Sequence, residues 1–182
     1  MRSPLALAVG AALLGFGAFG FATVTAGQAA PQAATRAHAV THVPTLEERV
    51  LDAINLLRHQ HGLSALRLNA QLATTAREHS VSMAEHGYFR HSSLGGASFW
   101  SRVETKYGGP KWRVGENLVW ASPQLSAEQA IAMWLRSPPH RRNLLAPLWR
   151  EIGVGAVHAD TAPGVYQGLP ATIVTADFGA RR

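Results

Sequence analysis

Glu116 is the first residue that could do chemistry, because its carboxylate falls in a stretch that otherwise looks buried. If residues 113–121 are extended, Glu116 shares one strand face with three apolar residues, Val114, Leu118 and Trp120. A carboxylate among apolar side chains is costly unless it has a partner. The partner could be a cation, a hydrogen-bond donor or a metal-bound histidine. Alternatively, Glu116 accepts backbone N–H groups and holds a loop in place.

His140 follows two prolines in the segment SPPHRRNLL. Because the residue before a proline is biased away from helix, Pro138 is expected to end a helix near Arg136. Proline is tolerated in the first helical turn, so Pro139 could begin a new helix with His140 in that turn. The positive helix terminus disfavours imidazolium, and neutral imidazole is the form that binds a metal or accepts a hydrogen bond. A solvent-exposed histidine at a helix start is the alternative.

Two further histidines stand in informative places. His91, in YFRHSS, lies just past Gly87, where a helix is expected to end, and taken alone it is a solvated loop residue. His79 falls on the apolar stripe of that helix, which favours a hydrogen-bonded core histidine over a ligand. No HExxH pair is present. Three serines lie near these histidines but outside any GxSxG motif, which disfavours a serine hydrolase: Ser92, Ser93 and Ser137.

Four helices and three strands are predicted to position these residues. The apolar periodicity predicts helices that start near Thr45, Asn69, Ser98 and Ser126. Thr45 and Ser126 each have Glu or Gln three residues later, which is the spacing of a capping box. The strands are predicted in WRVGENLVWA, EIGVGAVHA and ATIVTADFG, the last two as a possible hairpin. Helices first and strands last indicate an α+β fold, with helices packed on a small antiparallel sheet.

The N-terminal segment differs from the rest of the chain. An uncharged apolar run over residues 5–24 follows Arg2, and small residues come after it. This pattern predicts a signal peptide over residues 1–30, cleaved near Ala29 or Ala30. The run is also long enough to cross a bilayer, so an uncleaved anchor is the alternative. Residues 31–44 are predicted to be a linker, and residues 45–182 the domain.

Composition excludes some functions. The chain has no cysteine, so neither a disulfide nor thiol chemistry is available to it. Its formal net charge is +6. An exported basic protein could associate with anionic surface polymers or lipid headgroups, although ordinary solubility explains the charge more simply. The basic residues are scattered along the sequence without interleaved aromatics, which disfavours nucleic-acid binding. No apolar stripe is left over, so we expect a monomer.

Several motifs occur in the order of a known superfamily. They are AREHSVSMAEHGYFRHSS, GENLVWA, AIAMWLRSPPHRRNLL, IGVGAV and ADFG, within residues 46–179. This set resembles the CAP superfamily of cysteine-rich secretory proteins, insect venom antigens and plant pathogenesis-related proteins. The bacterial branch of SCP-like extracellular proteins is the most similar. The resemblance implies an exported α–β–α sandwich. It also implies a cavity where two histidines and two glutamates can bind a divalent metal such as zinc.

Carried over by motif, the two histidines are His91 and His140, and the first glutamate is Glu116. The second glutamate is replaced by Ser137, which removes one negative charge and predicts weaker metal binding. Asn117 and Ser137 are predicted as further polar residues of the cavity. Two imidazoles would provide two zinc ligands, with water completing the shell. Glu116 would then orient an imidazole or act as a base on bound water.

Three functions are compatible with this set of residues. The resemblance favours a secreted or envelope-associated binding module for a lipid, a sterol or a cell-envelope polymer. The alternative is a metal-dependent hydrolase in which Glu116 is the catalytic residue. In a third interpretation, the polar residues only tie helices to the sheet.

Overall fold

Five strands form one sheet in the part of the chain that the computed structural model describes, residues 39–181. They are β1 (Val40–His42), β2 (Arg67–Leu68), β3 (Trp112–Ala121), β4 (Glu151–Ala162) and β5 (Leu169–Arg181). The order is β1-β4-β5-β3, with every neighbour antiparallel, and the short β2 pairs parallel to β4. All three predicted strands are therefore present, and β3 lies at one end of this order.

Helices cover both faces of the sheet. They are α1 (Pro44–Gln60), α2 (Ala70–His86), α3 (Phe99–Tyr107), α4 (Ala127–Arg136) and α5 (Pro138–Leu145). Apolar side chains of α2 and α3 pack against the β3 face that carries Trp112 and Val114. Apolar side chains of α1, α4 and α5 pack against the opposite face, on Val119, Val154 and Val174. The predicted α+β class and α–β–α sandwich are confirmed.

The larger core lies between the sheet and helices α1 and α4. Val50 and Ile54 of α1 and Trp134 of α4 are almost completely buried there. The indole N–H of Trp134 also donates to the carbonyl of Leu118, 2.9 Å away. This bond fixes α4 against β3, so the segment that leads into α5 starts from a fixed position.

Helix α2 lies directly on the backbone of β4. A Cβ added to Gly153 would lie 2.0 Å from the backbone nitrogen of Ala73. One added to Gly155 would lie 2.2 Å from the nitrogen of Arg77. Such distances leave no room for any side chain, so both glycines of the IGVGAV motif are required for this approach.

The predicted helix starts are confirmed to within one residue, and one predicted cap is wrong. Asn69 caps α2, and Ser126 forms the predicted capping box of α4 with its third residue. Thr45 does not cap α1, because that helix begins at Pro44 and its N-cap, Val43, makes no side-chain cap bond. The φ angle of proline is already suited to the first helical position, which starts the helix one residue earlier.

The predicted linker, residues 31–44, is wrong for residues 39–44, the part of it that the structure describes. Residues 39–44 belong to the domain, because Val40 pairs with Ala159 of β4 and Pro44 begins α1. A three-residue strand is too short to show alternation in the sequence. The predicted signal segment over 1–30 lies outside the described residues. Within residues 39–181, no helix combines the length and apolarity that crossing a membrane requires.

Candidate functional site

Three segments meet at the outer edge of β3. Glu116 projects from the strand itself, and His91 lies in the loop that follows α2. His140 lies in the first turn of α5, because α4 ends at Arg136 as predicted and α5 begins at Pro138, one residue before the predicted Pro139. The ring centroids of His91 and His140 are 6.3 Å apart. The structure therefore brings together the three residues predicted to form the site.

Glu116 is a buried carboxylate with a donor on each oxygen. Its side chain is 0% exposed. Oε1 accepts a hydrogen bond from Nδ1 of His91 at 2.8 Å, and Oε2 accepts one from Nη2 of Arg102. Among the alternatives for Glu116, the cation and the side-chain donor are both realised. Because each oxygen is engaged, the carboxylate is held in one orientation and in turn holds the ring of His91.

Arg102, on α3, was missed at the sequence level. Its side chain is 12% exposed, and its Nη1 also donates to the carbonyl of His91 and to Oγ of Ser93, both at 3.2 Å. The guanidinium thus neutralises Glu116 and ties the His91 loop to α3. An arginine in the middle of a short amphipathic helix looks like a solvated residue, so no local pattern signals its role.

Asp177 of β5 was also missed. It lies opposite Glu116 in the β3–β5 register and is completely buried. Burial raises the pKa of Asp177 well above its ordinary value, and the nearby charge of Glu116 raises it further. The hydroxyl of Thr75 donates to its Oδ2 at 2.8 Å. Burial and the charge of Glu116 outweigh the opposing effects of Thr75 and Arg102 on the pKa, so a protonated Asp177 is favoured.

The two imidazoles differ in their surroundings. The side chain of His91 is 52% exposed, whereas burial lowers the pKa of His140 and the adjacent His91 lowers it further. The neutral form predicted for His140 is therefore favoured by burial and by the adjacent His91. With Nδ1 of His91 bonded to Glu116, its Nε2 is the ring nitrogen left for a ligand.

Asn117 and Ser137 do not join the cluster. Asn117 points to the other strand face, is fully buried, and donates to the carbonyl of His140 at 3.0 Å. It also accepts a hydrogen bond from Asn143 at 2.9 Å. Ser137 stands between α4 and α5 and provides no carboxylate. Asn117 thus fixes α5, and with it His140, instead of lining a cavity.

The residues present do not form a complete metal centre. Among residues 39–181, no group of three or more His, Cys, Asp or Glu side chains is arranged to hold an ion. His91 and His140 could provide two ligands, whereas catalytic zinc sites usually have three from the protein. The engaged Nδ1 of His91 does match the way a carboxylate orients a metal-binding histidine. His91 and His140 alone are thus an incomplete ligand set for a catalytic zinc ion.

His79 is a core histidine, as predicted. It is 1% exposed and its Nε2 donates to the carbonyl of Arg90 at 3.0 Å. Burial lowers the pKa of His79 to about 4. The bond joins α2 to the residue just before His91. His79 therefore supports this loop but is not part of the surface formed by His91 and His140.

Comparison with known proteins gives the family of the chain. The α–β–α sandwich is the fold that the resemblance to the CAP superfamily implies. The pairing of a buried glutamate with a histidine is also consistent with that resemblance. The model of the CAP family, the cysteine-rich secretory protein family, matches residues 51–178. The chain belongs to this family.

Two relatives from Bacillus subtilis are similar in sequence. The uncharacterized protein YkwD is 31% identical over 134 residues, covering 71% of this chain and 51% of that protein. The uncharacterized membrane protein YlbC is 34% identical over 111 residues, covering 61% and 31%. The chain therefore matches about half or less of the length of these relatives.

Two solved structures share the fold. An extracellular SCP-domain protein from Bacillus anthracis has 26% identity and a TM-score of 0.59, covering 76% of this chain and 41% of that one. An outer surface protein from Borrelia burgdorferi has 18% identity and a TM-score of 0.65, covering 80% and 100%. The second likeness concerns the fold alone.

Proposed function

We propose that this chain is an exported, envelope-associated binding module whose ligand contacts the surface formed by His91 and His140. The predicted signal segment and the likeness to an extracellular SCP-domain protein support the location. A lipid, a sterol or a cell-envelope polymer is the proposed class of ligand. Leu94 and Trp100, in the loop and helix that follow His91 in the sequence, are 49% and 52% exposed and offer apolar surface.

The occupied carboxylate of Glu116 carries this proposal. A general base needs an oxygen within reach of the proton that it removes. Both oxygens of Glu116 already accept hydrogen bonds, one from His91 and one from Arg102. Each oxygen can accept a second bond, but the side chain is 0% exposed, so solvent water does not reach it. The carboxylate is therefore suited to orienting His91 and poorly suited to activating water. A fixed, half-exposed imidazole is a preorganised contact for a ligand, which favours binding over the hydrolase alternative.

A divalent metal such as zinc would be held by His91 and His140, with Glu116 behind His91. Two protein ligands and the neutralising charge of Arg102 predict weak affinity. Zinc titration of the full chain by calorimetry measures this. We expect saturable binding that disappears in both His91→Ala and His140→Ala. Unchanged binding in the two variants would place the ion elsewhere.

The binding proposal is tested with the full chain and two probes. These are insoluble peptidoglycan and neutral phosphatidylcholine vesicles with or without sterol, followed by co-sedimentation. We expect one probe to be bound, and His91→Ala and His140→Ala each to weaken its binding at least about tenfold, as for a residue that the bound ligand covers. His59→Ala is the matched control, because His59 is an exposed residue at the end of α1.

Two results would overturn the proposal. One is the absence of binding to every probe. The other is binding that neither histidine variant changes while thermal melts show all variants folded. Hydrolysis of a probe that Glu116→Gln abolishes would instead support the hydrolase alternative.

A further inference from the structure

Basic residues that are scattered in the sequence converge at one end of the sheet. Arg113 lies at the start of β3, Arg150 immediately precedes β4, and Arg181 ends β5. The antiparallel register places Trp112 opposite Arg181 and Arg113 opposite Ala180. The starts of β3 and β4 therefore meet the end of β5, which the linear sequence does not show.

These residues line a pocket of about 580 Å³. Its lining includes four cationic side chains, one aromatic and one leucine: Lys111, Arg113, Arg150, Arg181, Trp112 and Leu148. None of the lining residues is acidic. The volume falls within the usual range of about 300–1,000 Å³ for small-molecule sites. Neither His91, Glu116 nor His140 lines this pocket, so it is separate from the candidate site.

Most of the positive charge in the pocket has no carboxylate partner. Arg181 alone has one, with its Nε 3.5 Å from Oε2 of Glu151. Arg150 donates instead to two backbone carbonyls, at 2.7 and 2.9 Å. Lys111 and Arg113 are exposed and form no ion pair within residues 39–181. Three cations thus face the same space without compensation, which attracts an anion.

Two of the arginines are already held in place. The guanidinium of Arg181 lies over the ring of Tyr107, 4.2 Å from its centroid. The carbonyl bonds of Arg150 fix its side chain in a similar way. An ordered guanidinium loses less conformational entropy when it binds an anion, so these contacts favour binding over mere solubility.

We propose that this pocket binds a phosphate group. The planar guanidinium matches phosphate oxygens with paired hydrogen bonds, and several cations around one space suit a phosphate better than a single carboxylate. Leu148 is 41% exposed at the same place and adds apolar surface. The phosphate is that of an anionic lipid headgroup or of a soluble phosphate compound. This site does not depend on the one formed by His91 and His140.

The test compares two variants that each remove two positive charges. Lys111→Gln with Arg113→Gln alters the pocket, whereas Arg136→Gln with Arg142→Gln alters exposed residues outside it. The full chain is sedimented with phosphatidylcholine vesicles, with and without phosphatidylglycerol. Inorganic pyrophosphate serves as a competitor and as a ligand in calorimetry. Neutral vesicles give the baseline for any contribution of the N-terminal apolar segment.

We expect the pocket variant to lose at least about tenfold in binding to the anionic probe, and the control to lose about twofold or less. Binding of anionic vesicles with competition by pyrophosphate identifies a lipid headgroup. Pyrophosphate binding without vesicle binding identifies a soluble phosphate compound. Equal losses of binding in both variants would mean that only net charge matters, which would overturn the proposal. The absence of binding to both probes would also overturn it. His140→Ala is expected to leave this binding unchanged, which separates it from the proposed function.

Discussion

Replacing Arg102 by methionine is predicted to destabilise the fold strongly, although the side chain lies near the surface. The change leaves Glu116, whose side chain is 0% exposed, without its cation and beside the buried Asp177. Removing one partner of a buried ion pair costs about 3–5 kcal/mol. His91 still donates to the other oxygen of Glu116, so we expect the lower end, about 3 kcal/mol. This is a large share of the roughly 5–15 kcal/mol that stabilises a typical domain.

Urea unfolding of the full chain at neutral pH measures this cost in a double-mutant cycle. The three variants are Arg102→Met, Glu116→Gln and the two changes combined. Removing both charges leaves no uncompensated ion, so the double variant is expected to be more stable than the sum of the single effects predicts. We expect a coupling energy of about 2 kcal/mol, within the range for residues in direct contact. A cost below about 1 kcal/mol for Arg102→Met, or additive effects, would refute the assigned role of Arg102.

Three further predictions concern stability. His79 has a folded pKa of about 4, below its unfolded value of about 6.5. The contribution of His79 to the free energy of unfolding is therefore complete above pH 6.5. About 3 kcal/mol of it is lost as the pH falls towards 4. The free energy of unfolding of His79→Gln, measured by urea unfolding at each pH, should not show this loss. The folded pKa of Asp177 is raised instead, so its carboxyl stabilises the fold most at low pH. Asp177→Asn should gain stability relative to the native chain as the pH rises from 4 to 8, and a constant difference would contradict the burial argument. Gly155→Ala should cost about 3 kcal/mol in the same assay because of its clash with the backbone of α2, whereas Gly95→Ala, which meets no atom within 4 Å, should be nearly neutral.

The elements that local sequence signals control were predictable. Proline placement indicated the break before His140, and capping residues indicated the starts of α2 and α4. Alternation in β3 indicated the burial of Glu116. The same argument applied to ADFG would have found Asp177, since it is a charged residue in an apolar strand.

Features that depend on distant pairing were not predictable from local patterns. Arg102 finds Glu116 only after α3 docks on the sheet, and its own helix shows no sign of it. The basic pocket is created by the register of β3 and β5, which joins Lys111 to Arg181 across the sheet. The strand at Val40–His42 exists because β4 offers an edge, which no property of its three residues indicates.

The close contact of α2 with Gly153 and Gly155 affects how such a chain can evolve. Since backbone rests on backbone there, the spacing between helix and sheet is set without any intervening side chain. A lineage that keeps both glycines can exchange the surrounding core residues without moving Gly87, where α2 ends, relative to β3. The histidine loop can then diversify from a constant starting point, and new ligand preferences can arise without redesign of the scaffold.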